Sequence, residues 1–354
     1  MRKIYIWGLV LAMAVFTATV IGGCGGKTAE QPKNGAKQEA GAGQQTAAKK
    51  LKVAMLLPGT INDSGWNAAA YEGLMLVKEK RGAEIAYREY VSQSDQEEAF
   101  RAYASAGYDI IFGHGFEFGD AAKKVAKDFP KTVFVVTSSN IFQAPNVASV
   151  EISNKEVGFL GGIVAGLVTK SNKVGYVGGM SIPSIIDARD GYIAGAKLVN
   201  PDVKVLDSFT GNFDDAAKAR EMAVALVNQG ADVVMQNADQ AGLGVIQAGK
   251  DKNVLVIGAG KDQSNLAPDN VLVSSMYGVP VGVAYIVDLF INGKFEPKAY
   301  SVGIKEGATG LIWNEKLAAK VVKPEAKGKI EAIIADLKTG KINLDELIAK
   351  NKNK

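Results

Sequence analysis

The chain of 354 residues holds one cysteine, Cys24, and one histidine, His114. A single thiol excludes an internal disulfide framework. One histidine and one cysteine also fall short of the ligands a zinc site needs, so no metal is expected. No Gly-x-Ser-x-Gly elbow exists for His114 to serve as a base, no glycine run completes Gly-x-Gly-x-x-Gly, and no Walker lysine follows a Gly-rich loop. The sequence therefore points away from an enzyme and from any cofactor. The formal net charge is +4, two units of which sit on Arg2 and Lys3, which is too little to argue for nucleic acid. From Gly25 to Lys50 there is no Val, Ile, Leu or aromatic residue. Such a stretch cannot bury enough apolar surface to offset its ordering entropy and is expected to be a disordered tether. As a flexible coil it would reach roughly 25 to 30 Å.

What precedes the tether reads as an export signal. Arg2 and Lys3 lead an apolar run from Ile4 to Ile21, and small Gly22 and Gly23 stand directly before Cys24. This is the layout of a cleaved signal peptide rather than a retained membrane span. Ile21-Gly22-Gly23-Cys24 resembles the bacterial lipobox, which implies acylation of Cys24 and anchoring to the extracytoplasmic face of the cell membrane.

The remaining length exceeds that of one ordinary domain, so two lobes are expected. Short Val- and Ile-rich runs, at 53–57, 85–90, 110–113, 133–137, 174–178, 203–209, 233–236, 255–258 and 271–275, alternate with amphipathic helical stretches. The helical pattern covers 68–80, 96–106, 121–129, 157–169, 185–198, 216–228 and 281–291. This alternation predicts an α/β fold of parallel sheets with helices on both faces. The run Gly158-Phe159-Leu160-Gly161-Gly162-Ile163 predicts a helix that packs closely on neighbouring backbone. The expected organisation is a signal peptide over 1–23, a lipidated tether over 24–50, and a first lobe over 51–150 plus 277–299. The second lobe is expected over 151–276 plus 300–315, and a helical tail over 316–354 packs on a lobe, with Ile330, Ile333, Ile334 and Leu337 at helical spacing.

Asn62-Asp63-Ser64-Gly65-Trp66-Asn67 joins the first strand to the first helix. A polar turn with one large aromatic at the carboxyl end of a parallel strand is where α/β folds hold small ligands. His114 ends another strand, where a ligand donor and a satisfied loop histidine remain equally open.

Together with Gly113-His114-Gly115-Phe116, with Lys173 to Met180 followed by Ile182-Pro183, and with Ile257-Gly258 and Asp262-Gln263, that turn resembles the basic membrane protein family. The likeness covers nearly all of residues 51–312. It implies a lipid-anchored substrate-binding protein of an ABC importer with a periplasmic-binding type I fold: two Rossmann-like lobes, three crossover segments, and closure over a ligand that the permease and ATPase subunits then take up. A monomer is expected. Trp66 matches the family's stacking aromatic and Phe213 a second one from the other lobe.

Where nucleoside-binding members carry polar anchors, this chain has Gly260, Tyr277 and Ser138. A purine nucleobase is therefore expected ahead of a nucleoside. The residues expected around it are Asn62, Asp63, Trp66, Asn67, His114, Phe116 and Ser138 from the first lobe. Met180, Phe213, Gln236, Asn237, Asp239, Gly260, Lys261 and Tyr277 complete the set, with Asp239 and Asn237 on the ring edge. A sugar ligand, suggested by Arg189, and a sensor role on the same fold are the alternatives.

Overall fold

The computed structural model describes residues 50–62 and 65–352; the expected signal peptide, Cys24, the expected tether as far as Lys49, and Asp63 lie outside them. In chain order the first lobe runs β1 (Lys52–Leu56), α1 (Trp66–Arg81), β2 (Glu84–Arg88), α2 (Gln96–Ser105), β3 (Ile110–Gly113), α3 (Gly119–Ala126), β4 (Val133–Thr137) and β5 (Val147–Ile152). The second lobe follows with α4 (Asn154–Val168), β6 (Lys173–Gly178), α5 (Pro183–Val199), β7 (Lys204–Phe209), α6 (Ala216–Asn228), β8 (Val233–Asn237), α7 (Gly242–Lys252), β9 (Leu255–Gly260) and β10 (Val271–Tyr277). The chain returns to the first lobe through α8 (Val279–Ile291) and β11 (Ala299–Val302). It crosses again to β12 (Thr309–Trp313), α9 (Glu315–Val321), α10 (Pro324–Lys338) and α11 (Leu344–Lys352).

Each lobe is built on one six-stranded sheet, in the order β11-β5-β4-β3-β1-β2 and β12-β10-β9-β8-β6-β7. Every pair in the first sheet is parallel, whereas β12 runs antiparallel along β10 in the second. The central strands read as unbroken apolar runs because helices cover both faces. All five residues of β4 and all four of β3 are buried.

Local signals set the helix ends. Gly82 takes the left-handed conformation at φ 64° and its N–H returns to the Lys78 carbonyl, closing α1. Asp215 accepts the Lys218 N–H at 2.9 Å at the start of α6, and Pro183 opens α5.

The sheet pairing moves the lobe boundaries from those expected. Tyr300 and Val302 pair with Val150 and Ile152 and are buried in the first-lobe core, so 300–302 belongs to the first lobe rather than the second. The alternation of buried and exposed residues along β11 fits an edge strand added beside β5. Residues 151 and 152 likewise remain in β5, and Tyr277 is the last residue of β10.

The three crossovers are tied to one another. Ser153 N–H donates to the Val302 carbonyl at 2.9 Å, and Gly278 N–H donates to the Ala308 carbonyl at 2.7 Å. Glu156, at the start of α4, accepts at 2.7 Å from both the Ile304 N–H and the Thr309 hydroxyl. One carboxylate thus holds the third crossover to the first.

The Gly-rich helix finds its partner in α5. A Cβ at Gly158 would overlap the Ala188 carbonyl, at Gly162 the Tyr192 carbonyl, and at Gly166 the Ala196 carbonyl; Gly191 and Gly195 answer with the carbonyls of Lys155 and Phe159. The two backbones lie directly against each other, which only glycine at four-residue spacing permits. The tail helices close the same lobe, with Ile330, Leu337 and Ile348 in its core. Lys155 with Asp345 at 2.8 Å and Lys352 with Asp190 at 2.6 Å pin α11 in place. Among the described residues no helix is long and apolar enough to cross a membrane.

Candidate functional site

A cavity of about 620 Å³ opens between the carboxyl ends of the two sheets and is lined from both lobes. That volume is in the range of small-molecule sites, and the position is the one parallel sheets favour. On the first-lobe side Trp66, Ala69 and Glu72 recur every three residues along one face of α1. Phe116 and Glu117, in the turn between β3 and α3, line it as well. The second lobe contributes Phe213 from the loop between β7 and α6, and Asn237, Asp239, Gly260 and Lys261 from the ends of β8 and β9. Tyr277 and Ser138 lie where the lobes join, their hydroxyls 3.4 Å apart.

Trp66 owes its position to His114. The imidazole stacks on the indole with centroids 3.7 Å apart and planes tilted by 32°. The imidazole is fully buried, with Nδ1 2.8 Å from the Thr137 hydroxyl and Nε2 3.2 Å from the Trp66 carbonyl. His114 therefore backs the stacking ring and does not line the cavity, which corrects the expectation that it meets the ligand. Phe213 has a matching support: a Cβ at Gly179 would overlap its ring, so the glycine after β6 makes the room the ring occupies.

The amides of the second lobe are cross-linked. Gln236, buried to 1% exposure, donates to the Gln263 side-chain oxygen at 2.8 Å and accepts the Ala238 N–H at 3.1 Å. Gln263 in turn accepts the Ala259 N–H at 3.3 Å. Asn237 donates at 3.2 Å to the Tyr176 hydroxyl, which itself donates to the Ile185 carbonyl at 3.1 Å. Burial pushes the Tyr176 phenol well above its usual range, so it stays a neutral strut behind Asn237. Gln236 thus touches the cavity with its amide already committed, whereas one acceptor of Asn237 is left for a ligand.

Four further expectations are corrected. Asn62 is exposed on the loop after β1 and does not line the cavity. Asn67 accepts the Gly59 N–H at 3.3 Å and fastens that loop, which Glu89 also grips through the Thr60 hydroxyl and the Ile61 N–H at 2.8 Å each. Met180 is 42% exposed and lies outside the lining, because β6 ends at Gly178 and the chain turns away toward α5. Arg189, the feature behind a sugar reading, is held by Asp190 and Asp207 at 2.7 and 3.5 Å and does not reach the cavity.

The structure adds Glu72, Glu117, Gln240, Gln263 and an apolar floor from Val279, Pro280, Val281 and Ile312. Glu72 was legible as the residue two helical steps past Trp66. The β12 residue Ile312 gave no signal. At the mouth, Gly65 of the first lobe sits against the Asp239 carboxylate of the second, so closely that a Cβ there would overlap it. The lobes touch over the cavity.

Two parallel-sheet lobes, joined by three crossovers around one cavity, define a solute-binding protein. Over residues 50–343 the chain matches the Bmp family model, described as ABC transporter substrate-binding protein PnrA-like, and the chain belongs to that family. This family binds and delivers ligands on the extracytoplasmic side and does not catalyse a reaction. The nucleoside-binding protein BmpA of Lactococcus lactis is 34% identical over 308 residues, spanning 81% of this chain and 85% of its own. The transcriptional activator protein med of Bacillus subtilis is 34% identical over 258 residues, 72% and 80% of the two chains. An ABC transporter solute-binding protein from Conexibacter woesei superposes with a TM-score of 0.69 at 25% identity, covering 83% of this chain and 98% of that one.

Proposed function

We propose that this protein captures a planar heterocycle, a purine nucleobase, between Trp66 and Phe213 and presents it to an ABC importer from a lipid anchor at Cys24. The observation that carries this reading is the pair of aromatics, one from each lobe, on a single cavity. A flat ring seated between them gains about 0.5 to 1.5 kcal/mol per aromatic pair beyond burial. It also contacts both lobes only when they are shut, which is how a ligand shifts such a protein toward closure. Asn237 lines the same cavity beside Asp239, and its side-chain oxygen can accept from an exocyclic amine or ring N–H. Gly260, Tyr277 and Ser138 stand where the family resemblance places the charged anchors of a nucleoside, and a ribose hydroxyl left unmet there costs about 1 to 3 kcal/mol. The name of the Lactococcus relative supports the neighbouring ligand class.

Calorimetric titration with adenine, guanine, hypoxanthine and their nucleosides tests the ligand: heat from a base is expected, and silence from every base, or much tighter nucleosides, rejects it. Anchoring is tested by Cys24→Ala, which should move the protein from the membrane fraction to the medium. A sensor role, for which the name of the Bacillus relative is the argument, would require a signalling partner, and uptake of labelled base in a deletion strain separates it from import.

A further inference from the structure

The charges around the cavity are unequal. Among the described residues that line it, Glu72, Glu117 and Asp239 are carboxylates and Lys261 is the one cation. The acids come from both lobes and three separate elements, α1, the turn before α3 and the loop after β8, so they do not form one solvated patch. Lys261 is exposed at the end of β9, and Glu117 is half-buried beside the exposed Phe116 ring. The Glu117 carboxyl folds back over Gly115, at φ 129°, where any Cβ would collide with it. Four aromatics, Trp66, Phe116, Phe213 and Tyr277, share the same walls.

Carboxylates and π-faces attract the same thing. An ammonium, an amidinium-like ring or an N–H-rich edge gains charge-assisted hydrogen bonds from the first and cation–π attraction from the second. Glu72 and Asp239 are exposed and Glu117 is half-buried, and a phosphate or carboxylate on the ligand would meet like charge from all three.

Resting on the nucleobase reading, we infer that the cleft selects planar heterocycles that carry an amino group or a positive charge, with Glu72 and Glu117 as its specificity-determining residues. Burial holds the Glu117 carboxyl above its usual range, and a bound cation would draw it back toward ionisation. Glu72, Asp239 and Lys261 are the other charged groups lining the cavity around it.

The test is calorimetry at about pH 6.5 with three ligands on one purine ring: hypoxanthine, adenine, and 1-methyladenine, the last largely protonated there. The expected order is 1-methyladenine tightest and hypoxanthine weakest, each step about tenfold. In the Glu72→Gln/Glu117→Gln double variant that spread should shrink to about threefold or less, and the two single variants should each remove part of it. Thermal melts of the variants verify folding. Hypoxanthine binding as tightly as adenine, or a spread that survives in the double variant, overturns the inference while leaving the base reading intact. Absence of heat from all three ligands instead rejects the base reading itself.

Discussion

In the first lobe the cavity wall consists of side chains that stand on a helix face and a short turn, Trp66, Glu72, Phe116 and Glu117, with His114 wedged behind the indole. In the second it consists of amides at the ends of two strands, Gln236, Asn237 and Gln263, bound to one another and to Tyr176. The same contrast runs through the cores. Between helices α1 and α8 of the first lobe a Cβ at Gly73 would stand 3.0 Å from the Pro280 Cα and the Val283 side chain, whereas in the second lobe α4 and α5 lie so close that a Cβ at Gly158 or Gly162 would overlap a carbonyl. The second lobe thus holds Gln236 and Asn237 through hydrogen bonds within its own frame. The first lobe brings Trp66, Glu72, Phe116 and Glu117 to face it.

Breaking the backbone contact should have the largest effect. Gly162→Ala drives a methyl into the Tyr192 carbonyl and should cost about 3 kcal/mol of stability, read by denaturant melts. Gly73→Ala faces a proline Cα and a valine at 3.0 Å, crowding that the gain in helix propensity of about 1 kcal/mol should largely offset. Equal losses at the two glycines would erase the distinction between the lobes.

Next comes the ligand. Trp66→Ala should weaken base binding by about 2 kcal/mol, roughly thirtyfold in Kd, because the larger ring is braced by His114. Phe213→Ala should cost about 1 kcal/mol by the same calorimetric measure. A reversal of that order would make the second lobe the dominant stacking face.

The smallest effect is electrostatic and belongs to the first lobe alone. Burial raises the Glu117 pKa above the ordinary 4.5, so the folded protein keeps this proton to higher pH than the unfolded chain does. The resulting stability is complete below the unfolded pKa and is lost as pH rises through the folded one. The melting temperature of the wild type should therefore fall relative to Glu117→Gln as pH rises above the unfolded carboxylate range. A difference that stays flat over that rise would show the carboxyl to be solvated.

Periodicity located most of the elements, since strands covered on both faces read as continuous Val and Ile runs whatever surrounds them. It passed over β5, β11, β12 and α7 for distinct reasons. The β5 segment, Val-Ala-Ser-Val-Glu-Ile, mixes polar residues into a strand that leads straight to a crossover. The α7 segment carries Gly242, Gly244 and Gly249, which weaken helix propensity. These glycines exist so that α7 can approach the Ala216 carbonyl and Val256.

In the site, the aromatic pair and the strand-end amides were legible because their types and positions name a ligand pocket. The roles of His114 and Asn67 were not, since a histidine at a strand end reads alike whether it faces the ligand or a tryptophan.

The sequence by itself determined the two α/β lobes, the close-packing helix, and the segments whose ends line the cavity, because burial pattern, turn residues and glycine spacing act locally along the chain. Only the tertiary structure decided which lobe takes β11, which side chain braces Trp66, and that Glu72 and Glu117 share one wall with residues more than a hundred positions away. Those facts depend on where separate elements come to rest against each other, and the register of such contacts is set by packing across the whole core.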